Sequence, residues 1–82
     1  MGQRSSPPLK LREVLAILRS LGFSLKRQDG SHAQYERPAD SIRRRSLVTV
    51  DMGIREFGER LIRSMIRQSN HTKEEFYGAL DK

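Results

Sequence analysis

Phe23-Ser24-Leu25-Lys26-Arg27-Gln28-Asp29-Gly30-Ser31-His32-Ala33-Gln34-Tyr35-Glu36-Arg37 is the stretch from which the fold is read. Asp29-Gly30 is a tight-turn signal, because Gly accepts the positive φ that a two-residue hairpin needs. Before it, Phe23, Leu25 and Arg27 alternate with Ser24, Lys26 and Gln28. That predicts a first strand with Phe23 and Leu25 inward. After it, a second strand runs from about Ser31 to Arg37. Ala33 and Tyr35 share one face of that strand, and His32, Gln34 and Glu36 share the other. The turn therefore sets His32 at the start of the returning strand, in a stiff and exposed position.

Elements outward of the hairpin complete the order. From Leu9, apolar residues Leu11, Val14, Leu15, Leu18 and Leu21 recur at helical steps while Lys10, Arg12, Glu13 and Arg19 face out. Gly22 is the expected left-handed stop. Pro38 ends the second strand, and residues 38 to 45 form a polar, basic loop. Leu47-Val48-Thr49-Val50 is a β-branched third strand. After the connector Met52-Gly53-Ile54-Arg55, a helix carries Phe57, Leu61, Ile62, Met65 and Ile66 on one stripe, with Gly58 weakening its first turn by about 1 kcal/mol relative to Ala. Asn70 is a candidate left-handed cap. Thr72 and Glu75 form a capping box that opens a short last helix. The sequence thus predicts an α+β fold of order α-β-β-β-α with a short extra C-terminal helix, built on a three-stranded antiparallel sheet. Residues 1–8, ending in Pro7-Pro8, are expected to form a flexible tail, and 9–82 a single domain.

Composition narrows the function. The chain has 82 residues, net charge +6, and sixteen basic side chains against ten acidic ones. Twelve of the sixteen are Arg, whose planar fork donates two hydrogen bonds to a phosphate at once. A small basic domain of this kind points to nucleic acid, the alternative being a soluble basic surface without a partner. There is no Cys, which excludes disulfide staples, thiolate metal sites and a Cys nucleophile and fits a cytoplasmic protein. No apolar run reaches the roughly 18 residues of a membrane span. His71 and Glu75 stand four apart, but two ligands without a third are too few for zinc; no metal and no cofactor are expected.

In their order and spacing the motifs resemble one family. They are Pro7-Pro8-Leu9, Arg12-Glu13-Val14, Leu21-Gly22-Phe23, Arg27-Gln28, Gly30-Ser31-His32, Val48-Thr49-Val50, Arg63-Ser64-Met65-Ile66-Arg67-Gln68 and Thr72-Lys73-Glu74-Glu75-Phe76. Together they are similar to the HicA (YcfA-like) toxins over residues 7 to about 80. The resemblance implies a double-stranded-RNA-binding-domain-like fold, ribosome-independent cleavage of mRNA, and neutralisation by a HicB-type antitoxin protein. It implies that His32 is the catalytic residue. The chain departs from the family pattern at four places. Ala33 stands where many members have a second His. Asp51 and Met52 stand where many have Pro and then a His or basic residue. Asn70 replaces a Gly, and the loop of residues 38 to 46 is long and rich in Arg. Asp51 adds a negative charge near the expected RNA face, which leaves two variants of the reading open, a weakened member or an antitoxin-free one.

The site residues follow. RNA supplies its own nucleophile, the 2′-hydroxyl, so cleavage needs a base, an acid for the leaving 5′-oxygen and cations for the charge on phosphorus. Histidine suits the proton work, because its unperturbed pKa of about 6.5 leaves both forms present near neutrality. Lys26 and Arg27, beside the turn, and Ser31 are candidates for holding RNA. Arg43-Arg44-Arg45 can grip phosphates or an acidic antitoxin, or be a solvated loop. Arg60, Arg63 and Arg67 have helical spacing and can cross an A-form groove, or be a solvated helix face. Tyr35 can stack on a base, though its parity with Ala33 favours the core. His32 itself has a plain alternative, an exposed turn residue with no role. Two other readings stay open: a non-catalytic RNA-binding domain of the same fold, and a protein-interaction module. The free protein is expected to be a monomer.

Overall fold

Leu9 does not begin the first helix. In the computed structural model, which describes residues 7–81, Leu9–Lys10 form a two-residue strand, β1, paired antiparallel with a second short strand at Glu56–Phe57. The first helix, α1, is Leu11–Ser20. It starts late because strand pairing and a capping box hold the residues before it extended. Leu11 N–H donates to the Arg55 carbonyl at 3.0 Å, and Lys10 N–H donates to the Glu13 carboxylate at 2.8 Å. An extended Leu9 then reaches the core opposite Phe57. Of the expected tail, residues 1–6 lie outside the described residues, and the Pro7 carbonyl accepts a hydrogen bond from the Tyr77 hydroxyl at 3.0 Å.

The buried stripe of α1 is Val14, Ile17 and Leu18. Ile17 was not on the expected stripe; Leu11, Leu15 and Leu21 flank the core instead. Gly22, at φ +96, reverses the chain, and a Cβ there would stand 3.5 Å from Arg37 Cδ. Phe23 then enters the core.

Three strands follow: β2 (Ser24–Asp29), β3 (His32–Arg37) and β4 (Ser46–Asp51). They form an antiparallel sheet in the order β2-β3-β4. Asp29 pairs with His32, so the two-residue loop is Gly30-Ser31, one position later than Asp29-Gly30. Gly30 sits at φ +64, at the loop position where a II′ turn requires positive φ. A bulge falls between Leu25 and Arg27. It breaks the simple alternation expected for β2. Leu25 still lies opposite Tyr35 on the helix side, but it is 51% exposed, because the edge strand projects beyond the helices. Arg27 lies opposite Gln34 and so belongs to the other face.

The strand at Glu56–Phe57, β5, takes Phe57 out of the second helix. That helix, α2, is Glu59–Ser69, with Gly58 as its N-cap in extended conformation. Ile62 and Met65 are buried, whereas Leu61 is 41% exposed. Asn70 closes α2 at φ 60, and its side-chain amide donates to Ser46 Oγ at 2.7 Å. Thr72 and Glu75 make the reciprocal capping box, each bond 3.0 Å, opening α3 (Lys73–Gly78). A 3₁₀ turn follows at Ala79–Asp81. The α+β fold of order α-β-β-β-α with an extra C-terminal helix is therefore present, with a small β1–β5 ribbon added.

The core lies between the helices and one face of the sheet. Ala33, Val48 and Val50 from the sheet meet Val14, Ile17, Leu18, Phe23, Ile62 and Phe76 there. Truncating a buried Phe removes its transfer energy and leaves a cavity, costing about 3–5 kcal/mol. Phe23→Ala is expected to lose about that much in urea denaturation. Leu25→Ser, at the half-exposed edge, is expected to lose less than about 1 kcal/mol.

Candidate functional site

The helix-free face of the sheet is polar and built in rows. His32 stands between Asp29 on β2 and Asp51 on β4. The next row is Arg27, Gln34 and Thr49, and the one after is Ser24, Glu36 and Leu47. The bulge brings Lys26 to this face as well, its Nζ 3.9 Å from Glu36 Oε2. Two consecutive basic residues thus share one surface, which strict alternation forbids.

His32 is well exposed, its side chain 66% accessible. It forms part of the wall of two adjoining depressions. One, of about 310 Å³, is lined by Arg27, Asp29, His32, Gln34 and Thr49. The other, of about 160 Å³, runs between β4 and α2 with Ile54, Phe57, Leu61 and Met65 as its apolar part and Ser64 and Gln68 among its polar residues. Gln68 also accepts the Thr49 N–H at 3.0 Å, which ties α2 to the open edge of β4. Arg60 and Arg67 share a helical face of α2 with Ser64 (steps of three, four and seven), though neither lines the depression itself.

The Asp51 carboxylate stands beside the ring, its Oδ2 4.0 Å from His32 Nε2. Its Oδ1 accepts the Gly53 N–H at 2.9 Å. Ser31 is exposed in the hairpin loop, and its carbonyl accepts the Met52 N–H at 2.6 Å. The hairpin end and the β4 connector are thereby fastened together next to His32.

The remaining basic candidates divide sharply. Arg43 makes a bidentate pair with Glu75, at 3.0 and 2.9 Å. Arg45 is paired with Glu36, and Arg63 with Glu59 at 2.8 Å. Arg27, Arg44, Arg60 and Arg67 have no side-chain partner among the described residues. The Arg43-Arg44-Arg45 run lies away from His32, at the opposite end of β3, where Arg37 pairs with Ser46. Tyr35 packs toward the core on the helix side, away from the His32 face. His71 is held structurally: its Nδ1 stands 2.9 Å from the Ser69 carbonyl, and its ring lies 6.3 Å from that of Phe23. Glu75 is engaged by Thr72 and Arg43, so the His71/Glu75 spacing does not gather a metal pair.

Sequence reasoning missed Arg37. It is only 6% exposed. Its guanidinium donates to the carbonyls of Pro38 and Arg44 at 3.2 and 3.1 Å and to Ser46 Oγ at 3.3 Å, and it lies 5.8 Å from the Phe23 ring centre. Its parity with Ala33 and Tyr35 was the available signal. The residue type argued against burial.

Three carboxylates are held below their ordinary range. Glu75 is lowered first by the Thr72 backbone N–H and further by Arg43 and His71. Asp40 is lowered by the N–H groups of Arg43 and Ile42, then by the Arg37 and Arg43 charges. Glu36 is lowered by its hydrogen bond from Arg45 and by the charges of Lys26 and Arg45. Each favours the folded state above its ordinary value, and that contribution is lost as pH falls through the lowered one.

The site is thus an exposed hairpin histidine on a polar sheet face of a small basic α+β domain. The family model described as the HicA toxin of bacterial toxin-antitoxin systems matches residues 11–70. The chain belongs to that toxin family, and membership implies an antitoxin partner. No curated protein and no solved structure matches. Among the described residues no helix is long and apolar enough to cross a membrane.

The Arg43–Glu75 pair should make stability depend on pH. Arg43→Gln is expected to be less stable than wild type at neutral pH. The difference should shrink once pH falls below the ordinary 4.5 of a glutamate, because a protonated Glu75 no longer attracts Arg43. Urea midpoints of both proteins at about pH 7 and about pH 3 measure it. A difference that stays constant across that range contradicts the assignment.

Proposed function

We propose that this chain is the toxin of a HicA/HicB-type pair, an endoribonuclease that cleaves mRNA in the cytoplasm with His32 as its acid–base group. The observation that carries the reading is the placement of His32. It is an exposed imidazole at a stiff hairpin end, between two depressions, with Arg27 on the wall of one.

Phosphate attracts Arg, so a strand of RNA lying over the outer face meets Lys26 and Arg27 on the hairpin and Arg60 and Arg67 along α2. Ser31 offers a hydroxyl at the tip. Arg43, Arg45 and Arg63 contribute less, since each already neutralises a carboxylate of the chain. In cleavage the 2′-oxygen attacks phosphorus, the bond to the 5′-oxygen breaks, and the products are a cyclic phosphate and a 5′-hydroxyl. His32 moves a proton in that exchange, a service worth about 10²–10⁴-fold. Arg27 is placed to offset charge on phosphorus.

His32→Ala is expected to lower the cleavage rate by about 10²-fold or more while RNA affinity, measured by fluorescence anisotropy, stays within about threefold of wild type. Unchanged cleavage in that variant sinks the catalytic role. RNA binding without any cleavage by the wild type favours the non-catalytic domain, and no RNA affinity even at low salt favours a protein-binding module.

Arg60→Ala and Arg67→Ala are each expected to weaken RNA binding and to reduce the slope of log affinity on log salt by about 0.7–0.9. The same slope in both variants as in wild type removes α2 from the RNA path.

A further inference from the structure

Asp51 was expected to oppose RNA. Its geometry gives it another part. His32 and Asp51 are directly opposed across β3 and β4. The next opposed residues, Ser31 and Met52, are joined by the 2.6 Å bond from Met52 N–H. Backbone bonding alternates along an antiparallel ladder, so His32 and Asp51 form a non-hydrogen-bonded pair, the kind in which side chains stand closest. Both project to the outer face.

The carboxylate is also fixed in direction. Its Oδ1 is bound by the Gly53 N–H at 2.9 Å, which turns Oδ2 toward His32 Nε2 at 4.0 Å. Gly53 permits this approach: a Cβ at that position would meet Asp51 Oδ1 at 3.3 Å and Ser31 Cβ at 3.8 Å. The other charged groups facing His32 are Asp29 and Arg27 of β2. On the α2 side the depression is lined by Leu61, Ser64, Met65 and Gln68, none of them charged.

Resting on the nuclease reading above, we infer that Asp51 is a positioning residue for His32: it draws the ring's Nε2–H to itself and leaves Nδ1 as the nitrogen that meets RNA. At 4.0 Å the contact is electrostatic rather than a hydrogen bond, and the field of the carboxylate favours the ring's one N–H on the nearer nitrogen and its lone pair on the far one. Nδ1 then takes the proton of the 2′-hydroxyl as the 2′-oxygen bonds to phosphorus. The leaving 5′-oxygen takes a proton from water, and the hydroxide so formed is neutralised when the imidazolium later releases its proton. While it exists, that imidazolium is balanced by Asp51.

The chain carries its own control. It has two histidines, and His71 Nδ1 lies 2.9 Å from the Ser69 carbonyl. A carbonyl only accepts, so His71 must carry its proton on Nδ1, the opposite tautomer. Long-range ¹H–¹⁵N spectra of the full chain, at a pH where both rings are neutral, report the two separately. The expected result is Nε2–H for His32 and Nδ1–H for His71 in wild type. Asp51→Asn keeps an oxygen for the Gly53 N–H, so the fold should persist. There the amide NH2 takes the place of Oδ2 and can only donate, so His32 should shift toward the Nδ1–H tautomer while His71 does not change. The cleavage kcat should fall about tenfold with KM within about threefold, well short of the roughly 10⁴-fold loss at a buried triad aspartate, because this pair is exposed and longer. Asp51→Glu should recover part of the loss. An unchanged His32 tautomer, or faster cleavage in Asp51→Asn, overturns the positioning role and leaves Asp51 a repulsive charge. A wild-type chain that cleaves no RNA overturns the nuclease reading instead, and this role with it.

Discussion

The pairing of Ala33 with Val50 and of Tyr35 with Val48 decides what the two faces of the sheet are. Side chains on a strand alternate, so a slip of one residue would turn the whole set over. It would carry Ala33 out to solvent and drive His32, Gln34 and Glu36 into an aliphatic core. Each of those polar groups would lose its water without a partner, at a cost of about 1–3 kcal/mol apiece. Ala33, Val48 and Val50 are fully buried, so the opposite register also gives up their burial. The exposure of His32 is thus set by the residues on either side of it in the strand.

Arg37 extends the same parity to the far end of β3 and shows its limit. It points inward beside Ser46, where a long cation has no natural place. The chain accommodates it by bending the following loop back, so that the carbonyls of Pro38 and Arg44 face the guanidinium. Its Nε is left without a partner, and Asp40 Oδ2 stands 3.6 Å from Nη1. Asp40 in turn accepts the N–H groups of Ile42 and Arg43. The loop is therefore wound around one buried charge. Arg43 and Arg45 follow from that winding: they are delivered to Glu75 and Glu36, which lie on different elements. A run of three arginines reads as one electrostatic feature in sequence, yet here the backbone separates its members.

How much could be read beforehand follows from which interactions are local. The hairpin, the left-handed Asn70, the Thr72–Glu75 box and the β-branched Val48-Thr49-Val50 strand rest on neighbours within four residues, and each stands where its motif indicates, the hairpin turn alone being displaced by one position. Leu9 and Phe57 were misassigned to helices because their partners are each other, 48 positions apart, and no local pattern encodes that contact. The bulge at Lys26 was hidden for a related reason. Alternation predicts Arg27 inward, and only the register against Gln34 turns it outward. The location of His32 was legible. The neighbour at its side was not, because Asp51 meets it only through the β3–β4 pairing.

If His32 is the acid–base group, its exposure also bounds what the site can achieve. Enzymes lower their barriers by about 8–23 kcal/mol, and the larger figures come from dry, preorganised sites. A hairpin imidazole open to solvent keeps its neighbours in a high dielectric, where a charge at 4 Å is worth roughly 1–4 kcal/mol. Proton transfer of about 10²–10⁴-fold and one nearby guanidinium then supply a modest acceleration. RNA asks for little more, since its 2′-hydroxyl is already held beside the phosphorus it attacks, and most of the entropic cost of bringing nucleophile and target together is absent. The same openness lets a long, flexible substrate reach the site anywhere along its length without threading a channel. A surface-borne histidine therefore matches a slow nuclease acting on an extended polymer better than it would match an enzyme that must enclose a small molecule.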